Sequence, residues 1–139
     1  MTPTLFQDTD ARDEYTFMQT KAALEKITHP AIRESIIRQL DAADSPYVVL
    51  VSPLLFETNQ HQLTRHTLLI DATEALQIHR ASQRDGQTVE QIHKIIQAQM
   101  PRAEKQRLAD DIVLNDGHLD HLYSKLEVLH QQYLKRAMQ

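Results

Sequence analysis

Hydrophobic positions at helical spacing occupy the first third of the chain. A helical pattern runs from about Asp10 to Ile27, and a second stripe, spaced i, i+4, i+5, i+8, continues to about Ala43. Thr28 has a side chain suited to an N-cap, and Pro30 suits a first helical turn. The pattern therefore predicts two helices that meet near residues 28–30, after an irregular segment over residues 1–9.

Three short apolar runs predict strands. Tyr47–Val51 is rich in β-branched residues and apolar throughout, which is typical of a strand buried on both faces of a parallel sheet. Similar runs lie at about His66–Ile70 and at Asp111–Leu114. Because these strands are interleaved with helical patterns, the expected fold is α/β with a small parallel sheet flanked by helices.

Four further helices are predicted after the second apolar run. Thr88 and Gln91 have the spacing of a capping box, and Asp85-Gly86 is expected to end the helix before it. In the last helix, leucines repeat at intervals of three and four, which favours packing on the sheet. The predicted ranges are approximately Glu74–Arg84, Val89–Gln99, Ala103–Ala109 and Leu119–Ala137.

Composition narrows the class of protein. The chain has 139 residues, a net charge of −4 and no cysteine, so disulfides and thiolate metal sites are excluded. Since basic residues form no block, a nucleic-acid partner is not expected. The longest apolar run is too short to cross a bilayer, and the first residues do not have the pattern of a secretory signal. A cytoplasmic protein without a membrane partner is the expectation.

The scarcity of glycine excludes one kind of nucleotide site. The chain has two glycines, Gly86 and Gly117, which are 31 positions apart. Backbone cradles for phosphate require closely spaced glycines, because other residues hinder the tight turn and the close approach of the main chain. Neither the P-loop motif nor the Rossmann motif can be written within these 139 residues.

Several polar residues have both a functional and a structural interpretation. Glu57 follows the first apolar run, and ligands of α/β proteins bind at the carboxyl ends of strands, but the residue pattern alone favours a surface glutamate after a buried strand. Arg80 and Arg84 share a helix face, so residues 74–109 could form a cationic lid over phosphates. Composition alone favours a solvated face, with Arg84 near Asp85.

The histidines are weaker candidates. His118 and His121 flank Asp120, but no third ligand with fixed spacing accompanies them, so no metal site is predicted. His29 precedes the proline of a predicted helix start, where an anion could meet a helix N-terminus, but the residue alone favours a capping or packing role.

Five segments together resemble the dephospho-CoA kinase family, over about residues 20–138. They are Ile27-Thr-His-Pro-Ala-Ile32, Ser45-Pro-Tyr-Val-Val-Leu-Val-Ser-Pro-Leu-Leu-Phe-Glu57, Gln77-Ile-His-Arg-Ala-Ser-Gln-Arg-Asp85, Gln99-Met-Pro101 and Ala109-Asp-Asp-Ile-Val-Leu-Asn-Asp-Gly117. That family transfers the γ-phosphate of ATP to the ribose 3′-hydroxyl of dephospho-CoA, the last step of coenzyme A biosynthesis. The resemblance implies a P-loop kinase-like fold, with ATP and dephospho-CoA as partners and Mg²⁺ as cofactor.

The resemblance also implies site residues and their regions. A helical substrate region would span residues 20–46 and the lid residues 74–109, behind an atypical segment over residues 1–19. The implied substrate-binding residues are His29, Pro30, Pro53, Leu54 and Glu57. The residues implied for ATP and the lid are Arg80, Arg84, Asn115 and Gly117.

The departures from the family pattern concern the catalytic parts. The glycine-rich Walker A loop with its lysine, and the aspartate that activates the acceptor hydroxyl, do not occur among the 139 residues, and no residue is assigned as catalytic. Leu114 stands where the family often has Asp, and Ile95 where many members have Arg. A truncated, inactive kinase is therefore expected, and the alternative is a non-catalytic module that binds CoA or a nucleotide or associates with itself.

The resemblance also bears on assembly. In the family, a first strand lies between the strands that match Tyr47–Val51 and residues 66–70. Without it, these strands would pair directly, pair with another chain or keep exposed edges. A homodimer formed through unpaired strands is expected.

Overall fold

A computed structural model describes the backbone of residues 11–139 and the side chains of residues 21–139. The expected irregular segment over residues 1–9 lies outside this range. The chain divides into two compact units between residues 43 and 44. The boundary proposed at residues 19/20 rests on the family resemblance and stays a prediction.

The first unit contains one long helix, α1, over Ala11–Ala42. The predicted break at residues 28–30 is wrong, because Pro30 lies inside this helix. Thr28 is not an N-cap, since its hydroxyl donates to the carbonyl of Leu24 at 2.9 Å, the i to i−4 bond of a threonine in a helix interior. Proline removes one backbone donor, and the helix formers on both sides keep the remaining ladder in place.

The second unit is an α/β fold with a small parallel sheet and flanking helices, as expected. Strands β1 and β2 pair in parallel, in a register that joins Leu68 to Asp111 and Asp71 to Leu114. A 3-10 helix over Gln60–Leu63 precedes β1. The elements are β1 (Leu68–Asp71), α2 (Glu74–Asp85), α3 (Val89–Ala98), α4 (Arg102–Leu108), β2 (Asp111–Leu114) and α5 (Leu119–Ala137).

The prediction of a strand at Tyr47–Val51 is wrong. This segment forms no strand, and the described sheet has two strands rather than three. Val49 is 68% exposed and Val51 is 86% exposed, so the segment is not buried on two faces. An apolar run forms a strand when the edge of a neighbouring strand pairs with its backbone. In the described sheet β1 and β2 pair with each other, and neither pairs with residues 47–51.

Local signals place the ends of α2 and α3 where the sequence indicates. The Thr73 hydroxyl caps α2 by accepting a hydrogen bond from the backbone of Leu76. Gly86 ends that helix with a φ of 65°, a left-handed conformation that glycine adopts without steric cost. Thr88 and Gln91 form both hydrogen bonds of the predicted capping box at the start of α3.

The apolar core of the second unit is small. Among residues 21–139, the buried apolar side chains are Phe56, Ile92 and Val113. Val89 and Ile95 are 58% and 48% exposed, so α3 buries one narrow stripe around Ile92. The last helix packs on β2, as its leucine spacing predicts. None of the described helices is both long and apolar enough to cross a membrane.

Candidate functional site

The carboxyl ends of the two parallel strands form one edge of the sheet. Asp71 ends β1 and Asn115 directly follows β2. The backbone amide of Asn115 donates to the backbone carbonyl of Asp71 at 2.8 Å, which continues the hydrogen-bond ladder of the sheet one residue past β2. Ligands of open α/β sheets bind at such an edge, so its side chains are the first candidates for a site.

Two of the predicted nucleotide-side residues meet at this edge. The Arg80 guanidinium, on α2, donates from Nη1 to the carbonyl oxygen of Asn115 at 2.7 Å. The two residues are 35 positions apart in sequence, and the side chain of Arg80 is half-buried. The contact fixes a cation beside the loop that follows β2.

Arg84 and Gly117 are placed differently. The Arg84 guanidinium donates to both carboxylate oxygens of Asp85, at 2.8 and 2.9 Å, and its side chain is 77% exposed. This hydrogen-bonded pair raises the pKa of Arg84 and lowers the pKa of Asp85. A surface pair with Asp85 is the structural interpretation that composition favoured. Gly117 is exposed, and a Cβ built on it would meet no atom within 4 Å.

A buried carboxylate that sequence reasoning did not single out lies at the same edge. Asp71 is 5% exposed, and its two oxygens accept from Nε and Nη2 of Arg102, each at 2.8 Å. The Gln106 amide donates to Oδ2 of the same carboxylate at 2.8 Å. The hydrogen bond from Arg102 lowers the pKa of Asp71, against the opposing effect of burial. An aspartate that ends an apolar strand was the available sequence signal.

The cations of the proposed lid are therefore largely neutralised by carboxylates. Arg102 pairs with Asp71, and Arg107 pairs with Glu104 at 2.8 Å on the outside of α4. Arg80 and Arg102 both reach the carboxyl edge of the sheet, but among the described residues Arg102 pairs with a carboxylate there and Arg80 bonds a backbone carbonyl. The contacts of residues 74–109 thus separate Arg80 and Arg84, which the sequence analysis treated alike.

Glu57 lies in a narrow cleft between the preceding segment and β1. Its Oε2 accepts from the backbone amide of Met100 at 3.3 Å, and its Oε1 is buried with no hydrogen-bond partner among the described residues. The cleft has a volume of about 80 Å³, against roughly 300–1,000 Å³ for pockets that enclose small molecules. It is lined by Ser52, Pro53, Leu55, Phe56, Glu57, Leu68, Leu69 and Lys105.

The remaining predicted substrate residues lie outside that cleft lining. The carbonyl of Leu54 accepts from both the amide and the hydroxyl of Thr58, which folds the segment into a tight turn. His29 and Pro30 are exposed positions of α1 in the first unit. The suggested anion site at a helix start beside His29 is wrong, because that helix begins at Ala11.

A polar cluster at the amino ends of the strands was also missed. His66 Nε2 donates to Oδ2 of Asp111 at 2.5 Å, and the Tyr133 hydroxyl donates to the same oxygen at 2.8 Å. Tyr47 and His130 are hydrogen bonded nearby, and the Tyr47 and Tyr133 rings meet edge to face. The cluster links β2 to α5 at the end of the sheet opposite Arg80.

Comparison with known proteins gives one consistent result. A family model described as dephospho-CoA kinase (CoaE) matches residues 10–121. The chain is 71% identical over 116 residues to the dephospho-CoA kinase of Acinetobacter baylyi, covering 84% of this chain and 60% of that protein. It is 48% identical over 128 residues to the dephospho-CoA kinase of Psychrobacter cryohalolentis, covering 90% of this chain and 56% of that protein.

A solved structure shares the fold. The crystal structure of TT1252 from Thermus thermophilus superposes with a TM-score of 0.71 at 29% sequence identity, covering 89% of this chain and 61% of that chain. These 139 residues thus span about 60% of the length of the relatives that they match.

Proposed function

Since the chain belongs to the dephospho-CoA kinase family, we propose that it binds the substrates of that enzyme, ATP and dephospho-CoA. The observation that carries the proposal is the 2.7 Å bond between Arg80 and the carbonyl of Asn115. It joins two family positions, distant in sequence, at the sheet edge where α/β proteins bind ligands. Arg80 would contact a phosphate of ATP, and the loop from Asn115 to Gly117 would lie on the adenine side.

The chemistry of Arg80 fits this role. A guanidinium has five N–H donors in a planar fork, so one bond to a backbone carbonyl leaves others for phosphate oxygens. The bond also restricts the side chain before a ligand arrives, which lowers the entropy that binding must remove. Pro53 and Glu57 line the cleft between residues 52–57 and β1. They would contact the other substrate, dephospho-CoA, which accepts the phosphate.

We further infer that these 139 residues do not transfer phosphate by themselves. Phosphoryl transfer depends on positioning and on neutralising charge at the β- and γ-phosphates, which a glycine-rich loop and its lysine provide in P-loop enzymes. Two glycines 31 positions apart cannot form that loop. The described residues also have no group of three or more His, Asp or Glu side chains that could hold a metal ion, so no step is assigned to Mg²⁺. The chain would then act as a non-catalytic binding module.

Two measurements on the purified chain test this proposal. Calorimetry should detect binding of ATP and of dephospho-CoA, whereas a coupled assay for ADP release with both substrates should show no turnover. Turnover within about a hundredfold of a typical kinase rate of 1–100 s⁻¹ would refute the inactivity. If neither ligand produced heat or a thermal shift, the binding proposal would be wrong.

A variant pair locates the nucleotide site. Arg80→Gln should weaken ATP binding about tenfold or more, because it removes a charge-assisted hydrogen bond. Arg65→Gln is the matched control, since Arg65 is an exposed arginine just before β1. Equal affinities for ATP in the two variants would contradict the assignment of Arg80.

A further inference from the structure

The carboxylate of Asp71 fastens α4 to the end of β1. Its three hydrogen bonds come from Arg102 and Gln106, which lie one turn apart on α4, and each is 2.8 Å long. The fork of Arg102 matches the two carboxylate oxygens, an arrangement that fixes orientation as well as distance. Because Asp71 is 5% exposed, water cannot easily replace these donors.

The contact between Asp71 and Arg102 lies close to the backbone amide that binds Glu57. Arg102 is the first residue of α4, and Met100, two residues earlier, donates its amide to Oε2 of Glu57 at 3.3 Å. Pro101 stands between them with a φ of −55°, and its ring permits little rotation of that backbone torsion. The ring, and the restriction that it places on the residue before it, leave few backbone torsions through which Arg102 could shift without moving Met100.

We propose that Asp71 and Arg102 are positioning residues for Glu57. They hold the Met100 amide on Oε2, and this leaves Oε1, buried without a partner among the described residues, to accept from a single hydroxyl or amide of the acceptor nucleotide, since the cleft of about 80 Å³ has no room for the whole ligand. Ligand recognition by Glu57 rests on the function proposed above, whereas the coupling between Asp71 and Met100 does not. Arg102 then acts by holding the backbone and does not contact phosphate.

Amide hydrogen exchange on the free chain tests the coupling. Asp71→Asn and Arg102→Gln should each accelerate exchange of the Met100 amide about tenfold, with a smaller change in the amides of α5, since the opening is local. Arg107→Gln is the matched control, because Arg107 lies on the same helix and pairs with Glu104. If Met100 exchange stayed at the wild-type rate, or rose only as much as exchange in α5, the proposal would be overturned.

A double-mutant cycle tests whether the coupling reaches the ligand. Calorimetry with dephospho-CoA would be performed on the wild type, Asp71→Asn, Glu57→Gln and the double variant. We expect Asp71→Asn to weaken binding about fivefold in the wild type and less than about twofold in Glu57→Gln, because both changes act on one contact. Equal losses in the two backgrounds would show that Asp71 does not act through Glu57. If the wild type bound no dephospho-CoA, the proposed function would fail, and Met100 exchange would still decide the coupling.

Discussion

The Tyr133 hydroxyl donates a 2.8 Å hydrogen bond to Oδ2 of Asp111, which joins the last helix to the first residue of β2. His66 Nε2 lies 2.5 Å from the same oxygen, and Arg136 Nη1 lies 2.9 Å from His66 Nδ1. A guanidinium cannot accept a hydrogen bond, so Nδ1 accepts from Arg136 and Nε2 carries the proton donated to Asp111. A residue of α5 and a residue of the loop before β1 thereby converge on the carboxylate of Asp111.

Acid should weaken the second unit through this carboxylate. The hydrogen bond from His66, together with that from Tyr133, holds the pKa of Asp111 below its ordinary value, although partial burial opposes the shift. A carboxyl whose pKa is lower in the folded state adds stability above its unfolded pKa of about 3.9. That contribution is lost as pH falls through the folded pKa.

Asp111→Asn should therefore lower the unfolding free energy near neutral pH and make its acid dependence less steep below about pH 4. Denaturant unfolding over a series of pH values measures both effects. Part of the slope should remain, since hydrogen bonds to Arg102 and to the Thr67 backbone lower the pKa of Asp71 and Asp110 respectively. An acid limb with the wild-type slope would show that Asp111 does not contribute to it.

Removal of the tyrosine hydroxyl should act at the opposite end of the pH range. Burial and the hydrogen bond to Asp111 raise the pKa of Tyr133, because the phenolate can neither donate to nor tolerate a neighbouring carboxylate. A group with a raised pKa adds stability below its unfolded pKa, about 10 for tyrosine, and loses it as pH rises further. The wild type should therefore weaken in alkali.

Tyr133→Phe should lower the unfolding free energy by about 1 kcal/mol at neutral pH and reduce the alkaline loss above about pH 10. Tyr123→Phe is the control, because Tyr123 lies on the same helix and is 59% exposed. Thermal unfolding at neutral and alkaline pH provides the comparison. The assignment would be wrong if the two variants were equally stable at every pH.

The core is small enough for one side chain of α3 to decide its stability. Ile92 is 4% exposed, whereas Ile95, one turn later, is 48% exposed. Ile92→Ala should cost about 2–5 kcal/mol, because it removes buried methyl groups and leaves a cavity. Ile95→Ala should stay within about 0.5 kcal/mol of the wild type. Denaturant midpoints of the two variants test the difference, and similar values would mean that α3 is packed differently.

Structural features that depend on neighbouring residues could be predicted from the sequence, whereas contacts between residues far apart in the sequence could not. The Thr88–Gln91 box and the left-handed Gly86 follow from side chains within one turn, so their positions were available from the sequence. Spacing alone could not reveal that Arg102 meets Asp71, 31 positions earlier, whereas Arg84 meets its neighbour Asp85. A carboxylate partner decides whether an arginine remains available for phosphate, and that depends on tertiary structure.

The wrong prediction for Tyr47–Val51 has the same origin. Its β-branched residues favour an extended backbone, but a strand forms only when the edge of another strand supplies hydrogen bonds. The described sheet pairs β1 with β2, so this segment keeps exposed valines instead. At Pro30 a local signal was misleading. Proline usually ends a helix, but here the hydrogen-bonded turns on both sides are long enough for α1 to continue through it.

Self-association of the chain through its apolar segment is the last prediction. Val49 and Val51 are 68% and 86% exposed beside other apolar residues of Tyr47–Val51, and each strand of the described two-stranded sheet has one neighbouring strand. A second copy can cover such a segment and pair with a free edge, as exposed strands commonly do. Light scattering on a size-exclusion peak should therefore give a mass of at least two chains at tens of micromolar, on the order of the concentrations at which exposed edges associate.

Lysine substitutions identify the surface responsible. Val49→Lys, alone or with Val51→Lys, should shift the mass toward a single chain, because a charge at an edge opposes pairing and burial. Val89→Lys is the matched control, since Val89 is 58% exposed on α3 and lies outside the segment. A sharp species of 16.1 kDa for the wild type, with cooperative unfolding, would show that the chain covers its own edges. Equal shifts for Val49→Lys and Val89→Lys would place the contact elsewhere on the second unit.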